Sequence, residues 1–297
     1  MKHAYCIIAH NDPYCLGVLL ETLQHEDNDI FLLIDKKTPG SFEEKLPQKI
    51  KNLHIIPAEK RININWGGVS SIKAELLLFK EAVNNGNYNF IHLLSGADLP
   101  LKRQEDIHRF FANISPDANF IAFSEGREIE ENVEFKTGYY HPFVEFQRFR
   151  KEGNPLHLIQ DLAAKTIRKS FVGLQKLAGY KRKWGDLKLK KGSNWVTLSP
   201  AFTRYLIEKE DFILKKFRGV ICSDEIFIHT MLYNSPFRHT VINDNLRYID
   251  WRRGTPYVFK SEDFVELMQS RAFFARKFSS SVDKKIIDKI KNKISLQ

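Results

Sequence analysis

Short apolar runs alternate, through the first part of the chain, with longer segments whose apolar residues recur every three or four positions. Residues 4–9 are apolar enough for a buried strand, and a polar turn at 10–13 leads into a helical stripe of Leu16, Leu19, Leu20 and Leu23. Residues 30–34 predict a second strand, ending at Asp35, and 53–56 a third. Strand, helix and strand in this order open a βαβ unit, in which parallel strands point their carboxyl ends at a ligand crevice. A turn at Trp66, Gly67 and Gly68 follows, after which Ser70 or Ser71 is placed to cap a helix carrying Ala74, Leu77, Leu78 and Ala82. Residues 90–94 predict another buried strand, SGADLP at 95–100 its polar exit, 105–111 a helix and 120–123 a further strand.

The second part of the chain is less regular. Residues 195–198 predict a short strand and 201–207 a helix. Ser223 is placed to cap a helix that begins with Asp224 and Glu225 and continues through Phe227, Ile228, Met231 and Leu232. A polar-aromatic segment at 247–251 leads through a turn at 252–254 into a strand at 257–259, and residues 280–297 form a basic amphipathic helix that seals the core or touches a membrane, packing being favoured. With no internal repeat and no long Pro, Gly or Ser linker, residues 1–297 are read as one α/β domain bearing a basic helical insertion at 148–191.

Charge changes this picture in one place. The chain carries 46 Lys plus Arg against 36 Asp plus Glu, a formal +10. Residues 148–191 hold 13 of those bases and only three acids, which fits a solvated basic face, a membrane- or phosphate-facing surface, or nucleic-acid binding. No zinc-finger, RNA-recognition or homeodomain signature supports the last, so nucleic acid is disfavoured as a partner. Neither GxGxxG nor GxxxxGK[ST] occurs, which removes the usual dinucleotide and P-loop readings. Three cysteines are too few for a disulfide framework and fit a reducing compartment, and neither a leader nor a membrane span is apparent. A cytoplasmic protein is expected, with peripheral contact to the inner face of an anionic membrane as the further option.

Read in order, IIAHNDP, IDKK, WGGVSSIKAELLLF, HLLSGADLPL, GSNWVTLSPAF, CSDEIFIHTMLYNSPF, NDNLRYIDW and FFARKF resemble the core-2/I-branching β-1,6-N-acetylglucosaminyltransferase and peptide O-xylosyltransferase family, glycosyltransferase family 14, in a compact bacterial form. The resemblance implies a GT-A-type nucleotide-sugar-binding fold, a central mixed sheet flanked by helices. It also implies an inverting sugar transfer from a UDP-sugar to a carbohydrate or glycolipid hydroxyl, as in bacterial surface-glycan synthesis. UDP-GlcNAc leads as donor and UDP-xylose is the alternative; a non-catalytic glycan- or nucleotide-binding protein on the same scaffold is the competing class.

Carried over residue by residue, the resemblance makes Glu225 of SDEIF the candidate base that takes the proton of the attacking hydroxyl. Lys277 of FARKF and Arg253 are the candidate leaving-group contacts, with Arg276, Arg252 and Lys260 as neighbours of similar chemistry. His10, Asp12, Asp35 and Asp98 are expected on the donor side, and Asp224, Trp195 and Trp251 on the acceptor side. Neither a cofactor nor a metal is expected: the family resembles a metal-independent exception among GT-A enzymes, and the sole DxD, at Asp27 and Asp29, reads as a surface turn. Cys222 reads as a buried, inert thiol.

Overall fold

The computed structural model describes residues 1–65, 67–146 and 155–295, with the backbone alone at 146 and 155–161. Trp66, residues 147–154, which include the start of the basic segment, and residues 296–297 at the end of the expected C-terminal helix lie outside the described residues, so the expected turn is seen only from Gly67 onward.

The first strand, β1 (His3–Ala9), shows why the opening run is apolar throughout. Tyr5, Ile7 and Ala9 point into one half of the core, Ala4 and Cys6 into the other. Side chains alternate along a strand, so one covered on both faces must be apolar at every position. Helix α1 (Pro13–Thr22) follows, then β2 (Asn28–Ile34), β3 (Leu53–Ile55), α2 (Val69–Asn85), β4 (Phe90–Ser95), β5 (Asp98–Pro100) and α3 (Gln104–Phe111). Beyond these lie β6 (Asn119–Phe120), β7 (Phe123–Ser124), α4 (Arg127–Thr137), α5 (Pro155–Leu177), β8 (Lys191–Gly192), β9 (Thr197–Leu198), α6 (Pro200–Glu208), α7 (Glu210–Phe217) and α8 (Asp224–Tyr233). The chain closes with β10 (Val241–Ile242), β11 (Arg247–Ile249), α9 (Phe264–Gln269), β12 (Phe274–Arg276) and α10 (Ser280–Ser295).

The main sheet runs β10-β6-β9-β4-β1-β2-β3. Strands β4, β1, β2 and β3 are parallel, and β9 lies antiparallel between β4 and β6. The architecture is therefore α/β with a mixed central sheet and helices on both faces, as expected. One face packs against residues of α1, α3 and α10, among them Leu16, Phe111, Ile286 and Ile287; the other packs against α2, α6, α7 and α8 through Phe79, Phe202, Ile213 and Phe227. A smaller sheet, β11-β12-β5, brings the C-terminal FFAR segment against the chain that leaves β4.

Several local expectations change. SGADLP is no solvated exit: Asp98–Pro100 is a fully buried strand, because β12 covers it. Neither Ser70 nor Ser71 caps α2; Gly68 takes that position, and the Glu145 carboxylate accepts the Ser70 amide at 3.1 Å. A Cβ at Gly68 would lie 2.4 Å from Glu145 Oε1, so the missing side chain is what admits this distant cap. Ser223 stands at the N-cap of α8, but its hydroxyl makes no cap bond. Residues 257–259 form no regular strand and instead bracket Lys277 through backbone bonds at 2.9 and 3.3 Å. Asp29 of the DxD is no turn residue; it lies buried in β2, accepting from Lys2 Nζ at 2.8 Å and the Tyr88 hydroxyl at 2.5 Å. Helix α10 buries Ile286, Ile287 and Ile290, which is the core-sealing reading. Among the described residues no helix is long and apolar enough to cross a membrane.

Candidate active site

The parallel strands β1, β2 and β4 end side by side at His10, Asp35 and Ser95, which places the polar residues that follow them along one rim. Asp35 is buried and accepts the Lys37 amide at 2.9 Å, with Lys37 Nζ 3.6 Å from its second oxygen. His10 opens to solvent at this rim, yet loss of hydration on its inner side lowers its pKa; the Asp35 charge acts against that, and Lys277, Lys37 and Arg276 add to it. These interactions gather His10, Asp35 and Lys277 at one edge of the sheet.

Strand β12 delivers the basic pair. Arg276 Nη1 lies 2.8 Å from Asp98 Oδ1, while Asp98 also accepts the Ser95 amide at 2.9 Å and the Ser95 hydroxyl at 2.7 Å. The guanidinium carbon stands 4.3 Å from the centre of the Trp195 ring, a cation–π contact. The next residue, Lys277, has its pKa lowered first by burial and then by Arg276, with Asp98 opposing. Two adjacent cations, one anchored by a buried carboxylate, form a ready seat for an anion.

The candidate base sits at the far end of the same seam. Glu225, in the first turn of α8, holds Lys136 Nζ of α4 at 3.1 Å and Lys191 Nζ of β8 at 3.3 Å. Strand β8 reaches α8 because position 192 is glycine: a Cβ there would lie 1.9 Å from Ala122 O and 2.2 Å from His229 Nε2. Beside Glu225, Asp224 is half-buried, and its pKa is pushed up to about 6 by lost hydration and by the Glu225 charge, against the pull of the helix-start amides. Asn194 Nδ2 donates to Asp224 at 3.3 Å and also bonds the buried Glu75, whose carboxyl is raised well above its ordinary range by burial and by Asp224. Oxygens of both acids, Asp224 Oδ1 and Glu75 Oε2, have no hydrogen-bond partner among the described residues. Since Asn194 adjoins Trp195 and Trp195 underlies Arg276, one continuous seam runs from Glu225 to the basic pair.

Four expected site residues are placed otherwise. Asp12 is a structural tie: its carboxylate caps α1 through the Cys15 amide at 2.9 Å and takes the amide and hydroxyl of Ser280 at 2.5 and 2.7 Å, which leaves both oxygens occupied. Asp98 is spent on Ser95 and Arg276, so it supports the site from beneath. Arg253 is surrounded by Asp250, Asp263 and Glu266, a cluster that cancels its charge. Trp251 projects from the turn carrying Arg253 and is 60% exposed. Cys222 is buried with its thiol pushed up to about 11, mainly by burial, which keeps it protonated and unreactive.

Sequence reasoning missed Lys136, Lys191 and Glu75. Glu75 had left a signal, a carboxyl on the apolar stripe of α2 between Ile72 and Phe79; Lys136 had none. His25, Asp27 and His108 offer ligand atoms within 4.8 Å of one another, the one metal-compatible group among the described residues. It lies at the amino end of β2, whereas Asp35 follows the carboxyl end, roughly 23 Å away at the usual strand rise. It therefore takes no part in the rim.

The fold and the seam define an α/β protein with two adjacent cations, Arg276 and Lys277, at one end of the seam and the Glu225 carboxylate, held by Lys136 and Lys191, at the other. The Core-2/I-Branching enzyme family model matches residues 3–269, and the chain belongs to that family. Xylosyltransferase 2 of Rattus norvegicus is 26% identical over 319 residues, covering 97% of this chain and 33% of that protein. Xylosyltransferase oxt of Drosophila melanogaster is 25% identical over 295 residues, covering 91% and 30%. The chain thus spans a third or less of the length of these two relatives. Among solved structures, mouse xyloside xylosyltransferase 1 in its apo form aligns with a TM-score of 0.41 and 13% identity, over 92% of this chain and 96% of that one. The galactosyltransferase LgtC, in complex with donor and acceptor sugar analogues, aligns with a TM-score of 0.40 and 10% identity, over 98% and 95%.

Proposed function

We propose that the chain is an inverting glycosyltransferase of the GT-A type that moves a sugar from a UDP donor to a carbohydrate hydroxyl, without a metal. The observation that carries this reading is the run of contacts from Asp224, the chain neighbour of Glu225, through Asn194 and Trp195 to Arg276, beside Lys277. In the reaction the acceptor oxygen attacks the anomeric carbon and hands its proton to Glu225. The bond from that carbon to the diphosphate breaks, and UDP leaves with the electron pair. Charge grows on the departing diphosphate, where Arg276 and Lys277 stabilise it more strongly than in the bound donor. Attack opposite the leaving group inverts the anomeric centre. His10 and Asp35, at the ends of β1 and β2, are assigned to the donor nucleoside; Trp195 offers the acceptor an aromatic face.

The named relatives move UDP-xylose ahead of UDP-GlcNAc as the donor to test first. The experiment is a mass-spectrometric transfer screen with UDP-xylose, UDP-GlcNAc and other UDP-sugars against bacterial surface-glycan acceptors, run with and without EDTA. A product carrying the mass of the donor sugar, formed equally in EDTA, is the expected result. Binding of UDP without turnover of any donor would favour a non-catalytic binding protein, and loss of product in EDTA would overturn the metal-free mechanism.

A further inference from the structure

Glu75 is an acid at the seam that the transfer chemistry does not use. It stands on the buried stripe of α2 between Ile72 and Phe79, with 1% of its surface exposed. Among the described residues its Oε2 has no hydrogen-bond partner, and no cation pairs with its carboxyl. Burial and then the Asp224 charge raise its pKa well above the ordinary range, which favours the neutral acid. An acid in such a place costs stability that an apolar side chain would not, so its presence points to a task other than packing.

The bonds of Asn194 show what that task is. Its Nδ2 donates to Asp224 Oδ2 at 3.3 Å, and its side chain also donates to the Glu75 carboxyl. A carboxamide nitrogen carries two N–H groups, and here two acids from two different helices, α2 and α8, take both. With the nitrogen turned toward Glu75 and Asp224, the half-buried Asn194 keeps Oδ1 to offer as an acceptor. Without Glu75 one N–H loses its partner, and the amide gains the freedom to turn.

Asn194 also stands where a sugar would have to lie. On one side Trp195 follows it, with the Arg276 guanidinium 4.3 Å from the centre of the ring; on the other, its partner Asp224 precedes Glu225. A donor whose diphosphate rests on Arg276 and Lys277, and whose anomeric carbon is attacked by the oxygen that Glu225 deprotonates, has its sugar ring between those groups. We propose that Glu75 is a positioning residue for the donor sugar: together with Asp224 it holds the Asn194 carboxamide so that Oδ1 accepts a hydrogen bond from a hydroxyl of the ring. An acceptor fixed in advance does not have to be ordered when the sugar binds. The identity of the bound sugar nucleotide rests on the transfer reading, but the test below needs no turnover.

Calorimetry of the full chain with UDP, UDP-xylose and UDP-GlcNAc separates the sugar from the nucleotide. Glu75→Leu should weaken binding of a UDP-sugar by about tenfold and of UDP by less than about twofold. Its urea midpoint should stay or rise, because leucine buries no polar atom there. Asn194→Ala should show the same selective loss, and the double variant no further loss, since the two residues act as a unit. Glu75→Gln restores the acceptor oxygen and should recover most of the affinity. Equal losses for UDP and UDP-sugar with a lowered midpoint would make Glu75 an ordinary core residue and overturn the proposal; so would unchanged affinities, additive losses in the double variant, or no binding of either UDP-sugar by the wild type. If Glu75→Leu does not fold, Asn194→Ala still decides, because a failure to distinguish UDP-sugar from UDP overturns the proposal by itself. Selective loss of sugar binding in a chain that turns over no donor would remove the transfer reading and leave this assignment standing.

Discussion

The Glu225 carboxylate lies 3.1 Å from the Lys136 ammonium, an ion pair between the first turn of α8 and the last turn of α4, across 89 residues of chain. Together with Lys191 it holds the candidate base in one rotamer at the end of the seam. Glu225→Gln keeps the shape and removes the proton acceptor. Transfer should fall by about 10²- to 10⁴-fold while UDP affinity, measured by calorimetry, stays within a factor of about two.

Lys136→Met should act on Glu225 without touching the donor. The expected change is a drop in kcat smaller than that of Glu225→Gln, with the KM for the UDP-sugar unaltered, read from steady-state kinetics. A rise in donor KM alone would place Lys136 in the donor site instead.

Asp224 gives a pH signature in stability. Its folded pKa of about 6 stands above its ordinary 3.8, so the native state holds the proton more tightly than the unfolded chain does. The stabilisation this gives is fully present below pH 3.8 and is lost as pH rises through about 6. A shift of that size corresponds to about 3 kcal/mol. Asp224→Asn cannot titrate, so urea unfolding of the wild type should lose roughly that much relative to the variant between pH 4 and pH 7. Parallel stability profiles for the two proteins would show that Asp224 does not titrate in this range.

Arg276 and Lys277 should separate by what they do to stability. Arg276→Met leaves the buried Asp98 without its cation and should cost about 3–5 kcal/mol in urea unfolding. Among the described residues Lys277 makes no ion pair within 4 Å, so Lys277→Met should leave the unfolding midpoint nearly unchanged and weaken UDP binding by about tenfold or more. Unchanged binding and transfer in Lys277→Met would remove it from the leaving-group role.

Arg253→Met should lower the melting temperature by releasing the Asp250, Asp263 and Glu266 cluster, and leave UDP affinity as it is. A clear loss of affinity would return Arg253 to the donor site.

Much of the fold was legible because its causes are local. Strands covered on both faces carry continuous apolar runs, Ala4 to Ala9 in β1 and Ile30 to Ile34 in β2, and the stripes of α1, α2 and α3 repeat at the helical period. The order of the motifs also identified the family before any contact was known, because each motif is read within a few residues. Long-range pairings leave no such mark. Arg253 and Arg276 are both basic residues near aromatic ones in the C-terminal part of the chain, and the sequence put Arg253 forward as the companion to Lys277. Only the fold shows that three carboxylates surround Arg253 while Arg276 reaches Asp98 across 178 residues and stacks on Trp195. Asp12 likewise reads as a ligand-loop acid until α10 returns to place Ser280 on it, 268 residues away. Periodicity and turn chemistry thus determined which elements form. Which charges meet was decided by where those elements end in space, since a Coulomb interaction depends on distance through the protein and not on separation along the chain.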